Sequence, residues 1–349
     1  MQRQAMVTQR RGPRRGNSLP LGWAEMGSWA GDVQKDLRIL SPFLDASHAF
    51  MQREGFTTNV VETICGLTSS LYLGVGEAAM AKGGLIASKI DIETGPTYSI
   101  LAAKMCSELQ HAGVDQVAEK LQLYCANSNE AIHAISSLKS QLSPKLGSIS
   151  ATLLTQFVNT TGHQLAEHIS EAVQRADWFK PNDGLGECLV AGHFMDVLVD
   201  TDDRIAQLFP GRRSQKPHWR NLQGKVKSYN FNKAIAKDID KLFAKKAQCF
   251  RPLEFQRDSI MSGIIDKGLK TFTECMRSQT LGTPGLHLIQ IDTYVMRLLL
   301  RSFTDEDGAL DSMLDEAIGS AAERCLAPQP LEASVLENVC EPKLLKLVP

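Results

Sequence analysis

From Asp32 onward the apolar residues of this chain recur at three-to-four spacing, with no sustained apolar–polar alternation. That pattern admits amphipathic helices and disfavours sheets. Pro96 suits a first helical turn and opens a face of Ile100, Leu101, Met105 and Leu109. Val114, Val117, Leu121 and Tyr124 repeat it after a break expected at Gly113, and Ile132, Ile135 and Leu138 carry it to Pro144. A long helix is predicted from about Leu146 to Phe179, ended by Trp178-Phe179-Lys180-Pro181-Asn182-Asp183-Gly184.

The pattern sharpens further along. Ile235, Ile239, Leu242, Phe243 and Phe250 mark one helix, and Ile260, Met261, Ile264, Ile265, Leu269, Phe272 and Met276 mark a second. Gly282, Pro284 and Gly285 form a turn before a third, striped by Leu288, Ile291, Val295 and Leu298. Thr304, three residues before Asp307, reads as a cap for a helix carrying Leu310, Met313, Leu314, Ala317, Ile318 and Ala321. A last short helix is predicted from Val335 to Val339. Short turns between such helices give an all-α helical bundle.

Charge divides the chain unevenly. The formal net charge is −1, yet Arg204 to Lys237 hold nine basic residues and no acid, leaving the remainder near −10. Pro210-Gly211 and Lys216-Pro217 interrupt regular structure there. The expected organisation is a disordered basic leader over 1–30, an N-terminal helical lobe over 31–203, a basic flexible linker over 204–234 and a C-terminal bundle over 235–343. The leader carries Arg3, Arg10, Arg11, Arg14 and Arg15 and no acid before Glu25, the composition of an organellar transit peptide or of an unstructured start. The linker's Arg212, Arg213, Lys216 and Arg220 are candidates for contact with anionic headgroups or an acidic partner. With only Trp219, Tyr229 and Phe231 available for stacking, nucleic-acid binding is the weaker alternative. No uninterrupted apolar run approaches the ~20 residues of a membrane span, so a soluble protein is expected. The eight cysteines show no Cys-x-x-Cys pair and read as free thiols of a reducing, cytosolic compartment.

Motifs with chemistry fare poorly. Gly74-Val75-Gly76-Glu77-Ala78-Ala79 approximates a dinucleotide fingerprint but lacks the strand that must precede it, so close helix packing is the better reading. His163 and His168 are five apart where a helical metalloprotease pair is four apart, which turns them roughly 140° from each other. Asp200-Thr201-Asp202-Asp203 and Asp305-Glu306-Asp307 lack the ligand alternation of a calcium loop. The expectation is no enzyme, with no catalytic residue, cofactor or metal assigned.

The C-terminal lobe carries a resemblance. Phe250-Arg251-Pro252-Leu253-Glu254-Phe255 is followed by Ile260-Met261-Ser262-Gly263-Ile264-Ile265-Asp266-Lys267-Gly268-Leu269-Lys270-Thr271, then Glu274-Cys275-Met276-Arg277, Gly285-Leu286 and Gln290-Ile291-Asp292. Leu314 to Leu326 and the ending from Pro328 to Glu341 complete the order. The series resembles the C-terminus of the vacuolar protein sorting-associated protein 51 (fat-free) family, densely from about Phe243 to Glu341 and more loosely upstream. That family has a low-complexity insertion where this chain has its basic linker.

The resemblance implies a non-catalytic subunit of the GARP and EARP tethering complexes, built as a helical rod of stacked bundles. It implies retrograde transport from endosomes to the trans-Golgi network, and endocytic recycling. The implied partners are the other three tether subunits, with SNARE and small GTPase contacts and peripheral membrane association; the implied location is cytosolic, on trans-Golgi network and endosomes. Family members open with a coiled-coil half that builds the complex and contacts a SNARE, and no such heptad region occurs here. This chain is therefore expected to be the C-terminal half alone or a reduced member. A helical scaffold outside the tether is the alternative. For docking, residues 331–339 are the candidate, with Leu331, Val335, Leu336 and Val339 as its apolar positions.

Overall fold

The computed structural model describes residues 56–88, 94–124, 129–180, 188–209 and 250–347. Among them the secondary structure is helical, apart from an isolated parallel bridge between Leu281 and Cys325. The elements are α1 (Phe56–Ser88), α2 (Thr94–Glu108), a π turn (Leu109–Gly113), α3 (Val114–Tyr124) and α4 (Asn129–Arg175). After α5 (Ala191–Ile205) and a 3-10 turn (Ala206–Leu208) come α6 (Arg257–Ser278), α7 (Thr283–Leu300), α8 (Asp307–Glu323) and α9 (Ala333–Leu347). The helix expected around Ile235 to Phe243 lies outside the described residues.

Several boundaries differ from the sequence expectation. The chain does not break at Gly113; it passes from α2 into α3 through the π turn. Nor does it stop at Pro144, which lies inside α4. Pro144 is exposed, so water serves the Ser140 carbonyl that loses its helical partner, while Leu142 and Leu146 bury the opposite face. The same logic carries α9 through exposed Pro342 to Leu347, beyond the expected end at Val339. Thr304 is not the residue before α8; its hydroxyl accepts the Glu306 N–H at 3.1 Å and pairs with Ser262 Oγ at 2.6 Å.

Two compact units emerge. The first comprises residues up to Leu71 with His111–Ser143. Its core joins Val61, Ile64 and Cys65 with Val114, Val117, Leu121, Ile135 and Leu142. Polar ties at its surface include Thr58 Oγ1, which donates to Glu130 Oε2 at 3.3 Å, and Lys139, which pairs with Asp115 at 2.9 Å. Over Thr58–Ala81, α1 is long and apolar enough to cross a membrane by length and composition, although Glu62 and Glu77 interrupt it.

The second unit comprises Tyr72–Gln110 and Pro144–Pro349. Here Gly76 sits so close to Ile149 that an added Cβ would lie 2.8 Å from Ile149 Cδ1, whereas Gly74 faces open space. Helix packing at Gly76 therefore accounts for that half of the Gly-x-Gly motif. Central to the unit is α7, on which α5, α8 and α9 all pack, while α6 packs on α5 and α8. From Ile289 to Leu300 every residue of α7 is buried, including Gln290, Asp292, Thr293 and Arg297. Such groups are costly to bury unless partnered. Arg297 reaches Asp311 at 2.8 Å and Asp315 at 2.6 Å on α8, and Arg301 adds a second contact to Asp311 at 2.8 Å. Arg257 of α6 bonds Asp202 of α5 at 2.6 Å, so Asp202 holds helices together.

Candidate docking site on the C-terminal helix

The approach to α9 is fastened step by step along α7. Leu281 N–H donates to Arg324 O at 3.1 Å, and Leu326 N–H to Leu281 O at 3.0 Å. Thr283 Oγ1 donates to Ala327 O at 2.8 Å, His287 Nε2 lies 2.7 Å from Gln329 O, and Leu331 N–H donates to Gln290 Oε1 at 2.9 Å. These bonds satisfy an irregular backbone that Pro328 and Pro330 keep from becoming helix. They deliver the chain to the start of α9 in a fixed register.

Underneath α9 lies a buried carboxylate. Asp292 is fully buried and accepts the backbone N–H groups of Leu189 at 2.9 Å, Val190 at 3.2 Å and Ala191 at 3.1 Å, at the N-terminal end of α5. Burial raises its pKa to about 6, against the opposing pull of those N–H donors and of Lys343 on α9. At neutral pH it is an anion on a helix N-terminus, where the unsatisfied N–H groups and the helix dipole favour negative charge. Beside it, Cys340 is buried with its thiol pushed up to about 12 by desolvation. Its Sγ lies 3.9 Å from Ile291 O, so it packs as a small hydrophobe. Gln290, Asp292 and Cys340 are what seat the C-terminal segment. The signal for them was a polar pair within an otherwise apolar run, Ile289-Gln290-Ile291-Asp292.

The four apolar candidates on this segment separate by face. Leu336 is buried with Cys340 and belongs to the core, while Leu331 and Val339 are half-buried and Val335 is 40% exposed. Helical spacing puts Val335, Val339, Pro342 and Leu345 on one side, away from Leu336, Cys340 and Lys343. Leu345 is 74% exposed. The result is an outward apolar strip on a helix held from beneath. The four basic candidates, Arg212, Arg213, Lys216 and Arg220, lie outside the described residues; Arg204 ends α5 and pairs with Asp200 at 2.8 Å.

Concave features elsewhere offer less. In the first unit an open groove of about 310 Å³ runs between α1 and α4, lined by Glu62, Ser69, Glu130, His133, Ser137 and Gln141 among others. Among the described residues, no three or more His, Cys, Asp or Glu converge as a metal site. Cys65, Cys106, Cys188, Cys275, Cys325 and Cys340 are free thiols.

Comparison with known proteins bears on up to 83% of the chain. It is 28% identical over 266 residues to a vacuolar protein sorting-associated protein 51 homolog of Xenopus laevis, covering 71% of this chain and 35% of the relative. The human homolog is 25% identical over 307 residues, covering 83% of this chain and 37% of the relative. The chain is a relative of the vacuolar protein sorting-associated protein 51 family. A Gallus gallus homolog reaches 31% identity over 206 residues, covering 54% of this chain and 26% of the relative. The chain spans about a third of the length of the family members it matches. No family model matches it, and no solved structure matches it.

Proposed function

We propose that the chain acts without catalysis, as a rigid helical subunit of a vesicle-tethering complex of the GARP and EARP type. The observation that carries this reading is the similarity to vacuolar protein sorting-associated protein 51 homologs, which extends over 83% of the chain for the human relative. In this role the protein is cytosolic and peripheral on trans-Golgi network and endosomes. It holds endosome-derived carriers during retrograde transport and recycling.

The α9 strip of Val335, Val339, Pro342 and Leu345 supports the reading, because an apolar helical face on a firmly seated helix is a means of docking another helical subunit. Arg212, Arg213, Lys216 and Arg220 add a basic stretch for anionic headgroups or an acidic partner. The family-like bundle over 235–343 is the part that assembles.

The test is affinity purification of the tagged chain from its own cells, with mass spectrometry of what co-purifies. Recovery of the other three tether subunits is expected. A well-expressed chain that brings down none of them contradicts the proposal.

A further inference from the structure

His168 does have a histidine partner, though not His163, its neighbour in the helix. His168 on α4 faces His193 on α5 with ring centroids 5.7 Å apart and planes tilted by 43°. Each helix adds a carboxylate one turn on: Glu171 follows His168 and Asp196 follows His193, both at a spacing that shares a helix face. Both carboxylates act on His193 electrostatically.

The ring separation is informative. With metal–nitrogen bonds of about 2.0–2.1 Å and ring centres about 1.1 Å behind the nitrogens, two imidazoles on one tetrahedral ion have centroids roughly 5.2 Å apart. The observed 5.7 Å needs only a slight closing or a wider angle at the ion.

We propose that His168 and His193 form a two-histidine clamp for a borderline divalent cation of the zinc type, bridging α4 to α5. Since the described residues hold no converged set of three ligands, water completes the coordination. His163 takes no part; it points elsewhere on the helix and lies 3.4 Å from Glu167.

Isothermal titration of the full chain with zinc alone, beside electron paramagnetic resonance of the chain loaded with one equivalent of copper(II), tests the clamp. Circular dichroism first establishes that each variant is folded. One saturable equivalent of zinc and a two-nitrogen copper signal are expected. Either H168A or H193A should weaken zinc binding at least about tenfold, as loss of a ligand does, and reduce the copper signal to one nitrogen, while H163A changes neither. Absence of saturable binding, binding indifferent to H168A and H193A, or an equal loss in H163A would overturn the proposal.

Discussion

Helices α1 and α7 are both long and apolar, yet they are held in opposite ways. α7 is enclosed, and the polar groups it carries inward are mostly tied: Asp292 to three N–H donors, Arg297 to two aspartates, Gln290 Oε1 to Leu331. α1 is enclosed on one side only, and its other side shows Gly66, Leu67 at 66% exposure, Leu71 at 51% and Gly74. Apolar content therefore does not decide how unique a helix's seat is; buried polar groups with fixed partners do.

The contrast breaks most sharply at Arg297. R297A removes the buried guanidinium that pairs with both Asp315 and Asp311, leaving Asp311 its contact with Arg301, and should cost about 3–5 kcal/mol. Denaturant unfolding of the variant measures it, and D315A added on that background should cost less than D315A alone. An additive double variant would show that the pairing is incidental.

Asp292 sharpens the same point through pH. Its folded pKa of about 6 lies above the ordinary 3.8, so its favourable contribution is complete below 3.8 and is lost as pH rises through 6. The full swing is about 3 kcal/mol. D292N removes this dependence and substitutes a pH-independent penalty for the lost acceptor, so the stability lead of the parent over D292N should shrink from pH 4 to pH 7. A lead that grows over that range would mean the N–H donors outweigh burial.

Two glycines set the regions side by side. A Cβ at Gly268 would stand 2.7 Å from both Leu165 Cδ2 and Phe194 Cζ, so G268A should destabilise by about 1–3 kcal/mol. At Gly74 nothing lies within 4 Å, and G74A should stabilise by about 0.5–1 kcal/mol through helix propensity alone. Thermal unfolding of both variants distinguishes a close-packed contact from an open face.

Much of this was legible in the sequence. Helical periodicity gives α6, α7 and α8 nearly to their ends, because amphipathic stripes and turn residues agree there. Pro144 and Gly113 misled for one reason: each is a local breaker overridden by burial on either side, of Leu142 and Leu146 for the one and of Leu109 and Val114 for the other. Leu336 joined the docking candidates because spacing shows that a residue is apolar without showing which neighbour covers it. Arg297, which reads as the flank of Leu298-Leu299-Leu300, proved buried, since its partners Asp311 and Asp315 sit one loop away on α8. The His168–His193 pair was invisible for the same reason, its members lying on different helices.

The tether assignment itself turns on assembly. The most direct measurement is size-exclusion chromatography, with mass determination, of this chain co-expressed with the other three tether subunits. The account predicts one species containing all four in equal amounts, from which a chain carrying V335D and L345D, still folded by circular dichroism, is displaced. Elution of the unaltered chain alone, beside an intact assembly of the other three, would contradict it.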